Sequence, residues 1–259
     1  MRNLDRLFQE LLDRTLGRSG LPVPRHLALV LDGNRRWARN MGFEDSSVGH
    51  AFGRRRVEDV ISWCEWVRIP VATLFVASRD NLRKRSPQEI QKLYRIVEEF
   101  LGRMLEQKVW EVRVIGCEAD LPPAIASRFR ELCNATLDSG RKHRLYLAIG
   151  YDGQTEILDA ANALLASSAQ GQPELITEES IEQRLYAGTE YQPELVIRTG
   201  SELRMSGFMP WQTTRSEIFF SQVNWPDFTI TEFNAALRMY RKRFYLQRLG
   251  RRFHDAAGF

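Results

Sequence analysis

The sequence predicts an α/β fold in one domain, with a central, mostly parallel six-stranded sheet and helices on both of its faces. Six short apolar runs, typical of strands that are buried on both faces, alternate with long amphipathic stretches of helical period. No linker-like composition divides the 259 residues, and this length is sufficient for one large hydrophobic core. An additional helix is expected before the main domain.

That additional helix is predicted over residues 4–16, where leucines and Phe8 share one face before Gly17. We therefore divide the chain into an N-terminal helix and linker, residues 1–24, and a main domain, residues 25–259. The helix either packs against protein, its own domain or a second copy, or makes a weak contact with a membrane surface.

The six predicted strands follow in order along the main domain. They occupy His26–Leu31, Val71–Val76, Val112–Ile115, Leu145–Ile149, Leu195–Ile197 and Ile218–Phe220. The clearest helical patterns between and after them span Pro87–Lys108, Pro122–Leu137, Gln154–Ala166 and Thr231–Leu246.

Composition limits the setting and the class of partner. The net charge of +4 favours anionic partners, which include nucleic acid, phospholipid surfaces and phosphorylated substrates. The apolar runs are too short to span a bilayer, and the N-terminus lacks the apolar core of a signal peptide. Cys64, Cys117 and Cys133 lack the pairing of a metal site and are expected to be reduced. We expect a soluble, cytoplasmic protein.

The first candidate site is HLALVLDGNRRWA, residues 26–38, in which an apolar strand runs directly into Asp32. Ligands of parallel α/β sheets bind beyond the carboxyl ends of the strands. Gly33 permits close backbone approach, and Arg35 and Arg36 can hold the oxygens of a diphosphate while the carboxylate takes a magnesium ion. The alternative is a solvated turn with surface arginines.

A second cluster has the same character. The segment ELVIRTGSELRMSGFMPWQ, residues 194–212, runs a short strand into Arg198, and Arg204 and Ser206 follow. Glu217 begins the next strand. Two arginines and a hydroxyl predict a second anion site, with Glu217 as a second metal carboxylate; the alternative is a charged loop.

Several motifs in order resemble the cis-prenyltransferase family, which includes undecaprenyl diphosphate synthase. They are HLALVLDGNRRWA at 26–38, GHAFG at 49–53, ASRDNLRKR at 77–85, LVIRTGSELRMSGFMPWQ at 195–212 and SEIFFSQVNWPDF at 216–228. The resemblance extends from about Arg25 to Phe253. It implies a homodimeric, magnesium-dependent enzyme that joins two isoprenyl diphosphates with loss of pyrophosphate, and a hydrophobic tunnel beneath the ends of the strands.

The resemblance also implies roles for individual residues. Asp32 would hold magnesium against the allylic diphosphate and assist its departure, and Glu217 would complete the metal environment. Ser78 and Asn81 fall near the proton that is lost. The residues implied for the allylic diphosphate are Gly33, Asn34, Arg35 and Arg36, with His50 beside it. Those implied for the second diphosphate are Arg198, Arg204 and Ser206.

The sequence departs from the family pattern around the substrates. The interval GFEDSSVGH, residues 42–50, is one residue longer than usual and lacks the usual arginine. Leu82 replaces a tryptophan after Asn81, and the arginine that normally follows is either Lys84 or Arg85. Leu203 replaces a histidine. The N-Y-G-G-R stretch of the family is GYDGQ at 150–154.

These departures leave Asp32, Arg198, Arg204 and Glu217 intact, which is the pattern expected of an enzyme that still ionises diphosphates but orients their partner differently. We therefore slightly favour irregular head-to-middle coupling of short allylic diphosphates, dimethylallyl or geranyl, to a branched, lavandulyl-type product. The alternatives are regular cis-elongation with isopentenyl diphosphate and, from another class, a non-catalytic partner subunit. The basic stretch at residues 240–253 is interpreted as a solvated helix face, so no nucleic-acid partner is expected.

Overall fold

The computed structural model describes residues 21–137, 140–169, 175–188 and 192–256. The predicted helix at residues 4–16 lies outside these ranges. In the ranges that are described, none of the helices combines the length and apolar character needed to cross a bilayer.

The six predicted strands are confirmed, and they form one sheet. Their bounds are β1 His26–Val30, β2 Val71–Ser78, β3 Trp110–Ile115, β4 His143–Tyr151, β5 Leu195–Arg198 and β6 Glu217–Phe220. The strand order is β3-β4-β2-β1-β5-β6, and every neighbouring pair is parallel.

The four predicted helical regions of the main domain are also confirmed, and the described residues contain four further helices. In chain order they are α1 Asn34–Asn40, α2 Val48–Val67, α3 Arg79–Lys84, α4 Pro87–Gln107, α5 Pro123–Asn134, α6 Gly153–Ala169, α7 Glu178–Glu182 and α8 Ile230–Ala256. Short 3-10 helices lie at Glu118–Asp120 and Trp225–Asp227.

Both faces of the sheet are buried, as continuous apolar strands require. Leu27 and Leu29 of β1 point into the larger core cluster, which contains Trp63 of α2 and Phe100 of α4. The intervening residues of β1 point to the opposite face, into a second cluster that includes Phe208. The period of two along β1 thus assigns alternate side chains to two cores.

The strand order places a crevice between β1 and β5. The chain leaves β1 toward β2 on one side and leaves β5 toward β6 on the other. Loops that diverge in opposite directions leave a gap at the carboxyl ends of the two strands, which is where α/β proteins bind ligands. Asp32 and Arg198 stand at this gap.

Candidate active site

Asp32 lies just beyond β1, where the backbone turns sharply into α1. Gly33 has φ 102° and immediately precedes the first residue of α1. A Cβ at this position would lie 2.9 Å from the Cα of Asn224, well inside van der Waals contact. Glycine is therefore required at position 33 for two reasons: the left-handed backbone and the close approach of the loop at Asn224.

Arg198, the last residue of β5, meets Asp32 across the crevice. Its Nη2 donates to Asp32 Oδ2 at 2.9 Å, and its Nη1 donates to Ser206 Oγ at 2.8 Å and to the carbonyl oxygen of Arg204. The Arg198 side chain is only 4% exposed, whereas that of Asp32 is 30% exposed. The buried arginine is therefore fixed by its neighbours, and the carboxylate remains open to the crevice.

Arg36 and Arg35 of α1 flank the same opening. Arg36 Nη2 lies 3.8 Å from Asp32 Oδ1, and the guanidinium donates to the carbonyl oxygen of Gly200. Arg35 Nε lies 3.3 Å from Ser46 Oγ. Both arginines are partly exposed, with side-chain exposures of 38% and 53%, so they remain accessible to an anion.

A second group of side chains, which we call the Glu89 cluster, consists of Arg35, His50, Arg85 and Glu89. Glu89 Oε1 lies 3.4 Å from His50 Nε2, 3.6 Å from Arg85 Nε and 3.8 Å from Arg35 Nε. Arg85 Nη1 also approaches His50 Nε2 at 3.2 Å.

Asn81 and Ser78 connect the Glu89 cluster to the end of β2. Arg85 Nη2 donates to Asn81 Oδ1 at 3.1 Å, and the Asn81 backbone N–H donates to Ser78 Oγ at 3.0 Å. Lys84 turns away and pairs with Asp80 at 2.5 Å, with a side chain 75% exposed. Of the two candidates for the family arginine, Arg85 is the one that the structure brings to the cluster.

Sequence reasoning missed Glu89. Its only signal is the pattern Ser86-x-x-Glu89 before a long apolar run, which is typical of a helix cap. The structure confirms the first half of that reading, because the Glu89 N–H donates to Ser86 Oγ at 3.2 Å. The carboxylate, however, reaches His50 on α2, and no local sequence pattern predicts that contact.

His50 is neutral at physiological pH in this setting. Burial lowers its pKa to about 4, and the positive charge of Arg85 acts in the same direction. Depending on its tautomer, a neutral imidazole accepts on Nε2 from Arg85 at 3.2 Å or donates from Nε2 to Glu89 Oε1 at 3.4 Å. In either case His50 is a hydrogen-bond partner within the Glu89 cluster and adds no charge to the site.

Two residues of the predicted site have side chains that lie away from the crevice between β1 and β5. The Arg204 side chain is 68% exposed and pairs with Glu202 at 3.0 Å, so only its backbone oxygen joins the crevice. Glu217 begins β6 opposite Leu195, whereas Arg198 pairs with Phe220 at the other end of that strand pair. Its carboxylate accepts from Gln247 Nε2 at 3.2 Å. Within one chain, Glu217 and Asp32 therefore lie at opposite ends of the sheet.

The structure also shows where the residues that depart from the family pattern lie. Asp45, in the lengthened loop, pairs with Lys92 of α4 at 2.6 Å, and that hydrogen bond lowers its pKa. Leu82 packs at the end of β4, where a Cβ on Gly150 would lie 3.1 Å from its Cδ1. Leu203 is 71% exposed. The loop from 42 to 47 is thus fastened to α4 by an ion pair.

An apolar cavity of about 60 Å³ lies beneath the diphosphate-binding candidates. Asn34 and His50 stand on its wall, and Phe100 and Leu147 belong to its apolar lining. The remaining lining residues are Leu31, Gly53, Arg54, Val57, Leu74, Val76, Leu93, Ile96, Val97 and Trp225. Its position beside Asn34 and His50 is compatible with the hydrophobic tunnel that the resemblance implies.

The residues around Asp32 can be tested for whether they could hold a magnesium ion. The described part of the chain contains no group of three or more His, Cys, Asp or Glu residues arranged to hold a metal ion. Magnesium is commonly held by one or two carboxylates together with substrate phosphates, and it keeps several waters. The single open carboxylate of Asp32, beside arginines suited to a diphosphate, fits a metal that arrives with its substrate.

Comparison with known proteins gives a consistent result. A family model described as undecaprenyl diphosphate synthase matches residues 30–248. An isoprenyl transferase of Streptomyces fradiae is 39% identical over 255 residues, which cover 94% of this chain and 98% of that protein. A (2Z,6E)-farnesyl diphosphate synthase of Mycolicibacterium smegmatis is 35% identical, covering 92% and 93% respectively.

Among solved structures, the lavandulyl diphosphate synthase of Lavandula x intermedia in complex with dimethylallyl diphosphate superimposes with a TM-score of 0.78. It is 29% identical in sequence, and the match covers 84% of this chain and 95% of that one.

Proposed function

Because the chain belongs to the undecaprenyl diphosphate synthase family of cis-prenyltransferases, we propose that it joins two short isoprenyl diphosphates head to middle, with magnesium-dependent release of pyrophosphate. Its relatives are prenyl-transferring enzymes, and the substrates of such enzymes are isoprenyl diphosphates.

The observation that carries the proposal is the position of the charged crevice directly beside an apolar cavity. Asp32, Arg36 and Arg198 supply a metal ligand and two cations, and the cavity that begins beside Asn34 is apolar. An isoprenyl diphosphate has this division, with an anionic head and an apolar tail. An allylic cation forms only where the departing negative charge is stabilised, and fixed cations in a water-poor cleft provide that stabilisation.

We assign the following roles as parts of the proposal. Asp32 holds magnesium against the allylic diphosphate. The allylic diphosphate is bound by Gly33, Asn34, Arg35, Arg36, His50 and Arg85. The second diphosphate is bound by Arg198, Arg204 and Ser206. Ser78 and Asn81, which are joined by a hydrogen bond, lie near the proton that the second substrate loses.

The firm packing of the cavity lining favours short chains. The cavity has a volume of about 60 Å³. Phe100 is only 4% exposed and Leu147 only 2% exposed, so these lining side chains are held firmly in the core. A long polyprenyl chain would have to displace several of them.

Irregular coupling is supported by two features. Leu82 packs against Gly150 where the family places a large flat ring, so the wall beside the second substrate has a different shape. The lavandulyl diphosphate synthase that resembles this chain in structure was solved with dimethylallyl diphosphate. A second candidate function, regular cis-elongation with isopentenyl diphosphate, is favoured by the 35% identity to (2Z,6E)-farnesyl diphosphate synthases.

We further propose a homodimer. Glu217 lies at the end of the sheet opposite Asp32 in the same chain. It can serve as a metal ligand only if a second copy presents it, and sedimentation of the purified protein tests for that copy. Residence in the cytoplasm is a further part of the proposal, as is packing of the N-terminal residues against protein, with weak contact with a membrane surface as the alternative.

Product analysis tests the proposed reaction. Purified protein with Mg²⁺ is incubated with dimethylallyl diphosphate alone, with dimethylallyl and geranyl diphosphates together, or with either donor and isopentenyl diphosphate. We expect a branched product without isopentenyl diphosphate. A strict requirement for isopentenyl diphosphate, with linear product, would instead establish regular elongation.

A further inference from the structure

We propose that Glu89 is a positioning residue: it fixes Arg35 and Arg85 against the allylic diphosphate and offsets one of their two positive charges, so that the diphosphate is oriented for reaction and then released. This inference rests on the function proposed above. Glu89 itself does not touch the substrate in this account; it acts through the two arginines.

The first support is geometric. One carboxylate oxygen, Glu89 Oε1, lies 3.6 Å from Arg85 Nε and 3.8 Å from Arg35 Nε. These arginines come from different elements, α1 and the segment between α3 and α4. A single atom of α4 therefore sets the distance between two cations that no other described carboxylate joins.

The second support is the restricted mobility of the Glu89 and Arg85 side chains. Glu89 lies in the first turn of the 21-residue helix α4, its N–H is capped by Ser86, and its side chain is only 12% exposed. The Arg85 side chain is 13% exposed and is held from its other side by Asn81. A buried carboxylate on a long helix loses little freedom when it orients its partners.

The third support is the charge balance. The Glu89 cluster contains two guanidinium groups and one carboxylate, and His50 is neutral because burial and Arg85 lower its pKa to about 4. The cluster therefore has a net charge of +1 rather than +2. Asp32 adds a negative charge that Arg85 also senses.

These features predict that a neutral replacement changes binding and turnover in opposite directions. Glu89→Gln keeps the length of the side chain but removes the charge. Inorganic pyrophosphate should then bind more tightly, by at least about threefold, because two arginines lose a counter-charge within about 4 Å. Turnover should fall by about tenfold or more, because misplacement of about 1 Å can cost roughly 100-fold in rate.

The experiment measures the Kd of inorganic pyrophosphate with Mg²⁺ by calorimetry, together with kcat for dimethylallyl diphosphate and the Tm. Glu89→Asp, which retains the charge, should keep the pyrophosphate Kd within about twofold of the wild-type value. Glu98→Gln is the matched control, since Glu98 lies on the same helix and pairs with Arg128 outside the cluster. Glu98→Gln should change neither the pyrophosphate Kd nor kcat.

An unchanged pyrophosphate Kd in Glu89→Gln would overturn the inference, and so would unchanged turnover. Weaker binding together with a lower Tm would assign Glu89 a structural role and would also overturn it. If the wild-type protein yields no product from any isoprenyl pair, the proposed function fails. The pyrophosphate titration still decides the role of Glu89 in that case, because it requires no product to form.

Discussion

Asp32 and Arg198 combine an open carboxylate with a buried guanidinium at the candidate site. Arg198 Nε is buried and has no hydrogen-bond partner among the described residues, although both terminal nitrogens donate. An arginine held in this way contributes a fixed positive charge, and Asp32 keeps it from being an unpaired buried ion.

Asp32→Asn should abolish product formation, with at least about a 1000-fold loss in kcat, because an amide is a poor ligand for magnesium and lacks the charge. Asparagine keeps the shape, but Arg198 loses its ion-pair partner, and we expect a loss of about 1–3 kcal/mol in the free energy of unfolding. Pyrophosphate release and urea unfolding measure the two effects. Retention of wild-type turnover would remove Asp32 from the mechanism.

Arg204→Ala should raise the KM of the second substrate by about tenfold and leave the KM of the allylic donor within twofold, because the proposed role of Arg204 has its exposed side chain leave Glu202 and turn onto the second diphosphate. Its side chain is exposed and, among the residues that the structure describes, pairs only with Glu202, so the change should cost little stability. Arg215→Ala, which removes another exposed arginine eleven residues further along the chain, is the matched control. Equal effects on both substrates would show that the two diphosphate sites are wrongly assigned.

His50 should make the protein less stable in mild acid. Because its folded pKa is about 4, below the ordinary value of 6.5, the unfolded chain takes up the proton first as pH falls. Stability should therefore decline between pH 6.5 and pH 4, by at most about 1.4 kcal/mol per pH unit. The groups that face His50 are Glu89, Arg85 and Arg35.

The comparison is with His50→Gln, which cannot titrate. Chemical unfolding at pH 7 and pH 4.5 should show a larger loss for the wild-type protein than for the variant. Identical losses would mean that His50 is not the group responsible.

At the scale of elements, the sequence predicts each strand and the long amphipathic helices because their periods are local properties. It does not predict α1, because its seven residues are too few to show a helical period. Nor does it predict α2, whose residues include three consecutive arginines and whose Ser47 makes no side-chain cap. Both helices are stabilised by contacts with distant parts of the chain.

The GHAFG motif explains how α1 and α2 approach each other. A Cβ on Gly49 would overlap the Asn34 carbonyl group, and one on Gly53 would lie 2.8 Å from Trp225 Cδ1. Glycines four residues apart therefore leave space on one side of α2 for the start of α1 and for Trp225.

Gly49→Ala should lower the free energy of unfolding by about 1–3 kcal/mol, as overpacking does, and reduce kcat by displacing Asn34 and Arg35. Gly102→Ala is the control, since a Cβ there would have nothing within 4 Å. Thermal unfolding measures the loss of stability, and product assays measure the loss of kcat. An unaltered Tm in Gly49→Ala would show that α1 can shift without cost.

The candidate site is predicted from sequence only in part. Asp32, Arg36, Arg198 and Ser206 follow directly from strands whose carboxyl ends must meet, and the structure brings them together. The exposure of Arg204 depends on how a loop turns, which has no sequence period.

At the scale of the whole molecule, side chains of the hydrophobic core also line the cavity, so core packing should affect which isoprenyl tail the protein accepts. Phe100→Leu should enlarge the apolar chamber and shift the preferred donor to one about one isoprene unit longer, geranyl in place of dimethylallyl diphosphate, because a smaller side chain leaves space that an isoprenyl tail can fill. Phe129→Leu, a buried aromatic outside this cavity, is the control. Chromatography of the products checks the prediction, and an unchanged product distribution would contradict it.

The strand order has a further consequence, for synthesis rather than catalysis. Strand β1 is near the centre of the sheet, yet one of its neighbours, β5, begins only at Leu195. While the ribosome extends the chain, the apolar edge of β1 from Leu27 to Val30 stays unpaired through most of translation. An uncovered edge of this kind promotes association with other chains. The nascent protein should therefore need protection by a chaperone until β5 emerges.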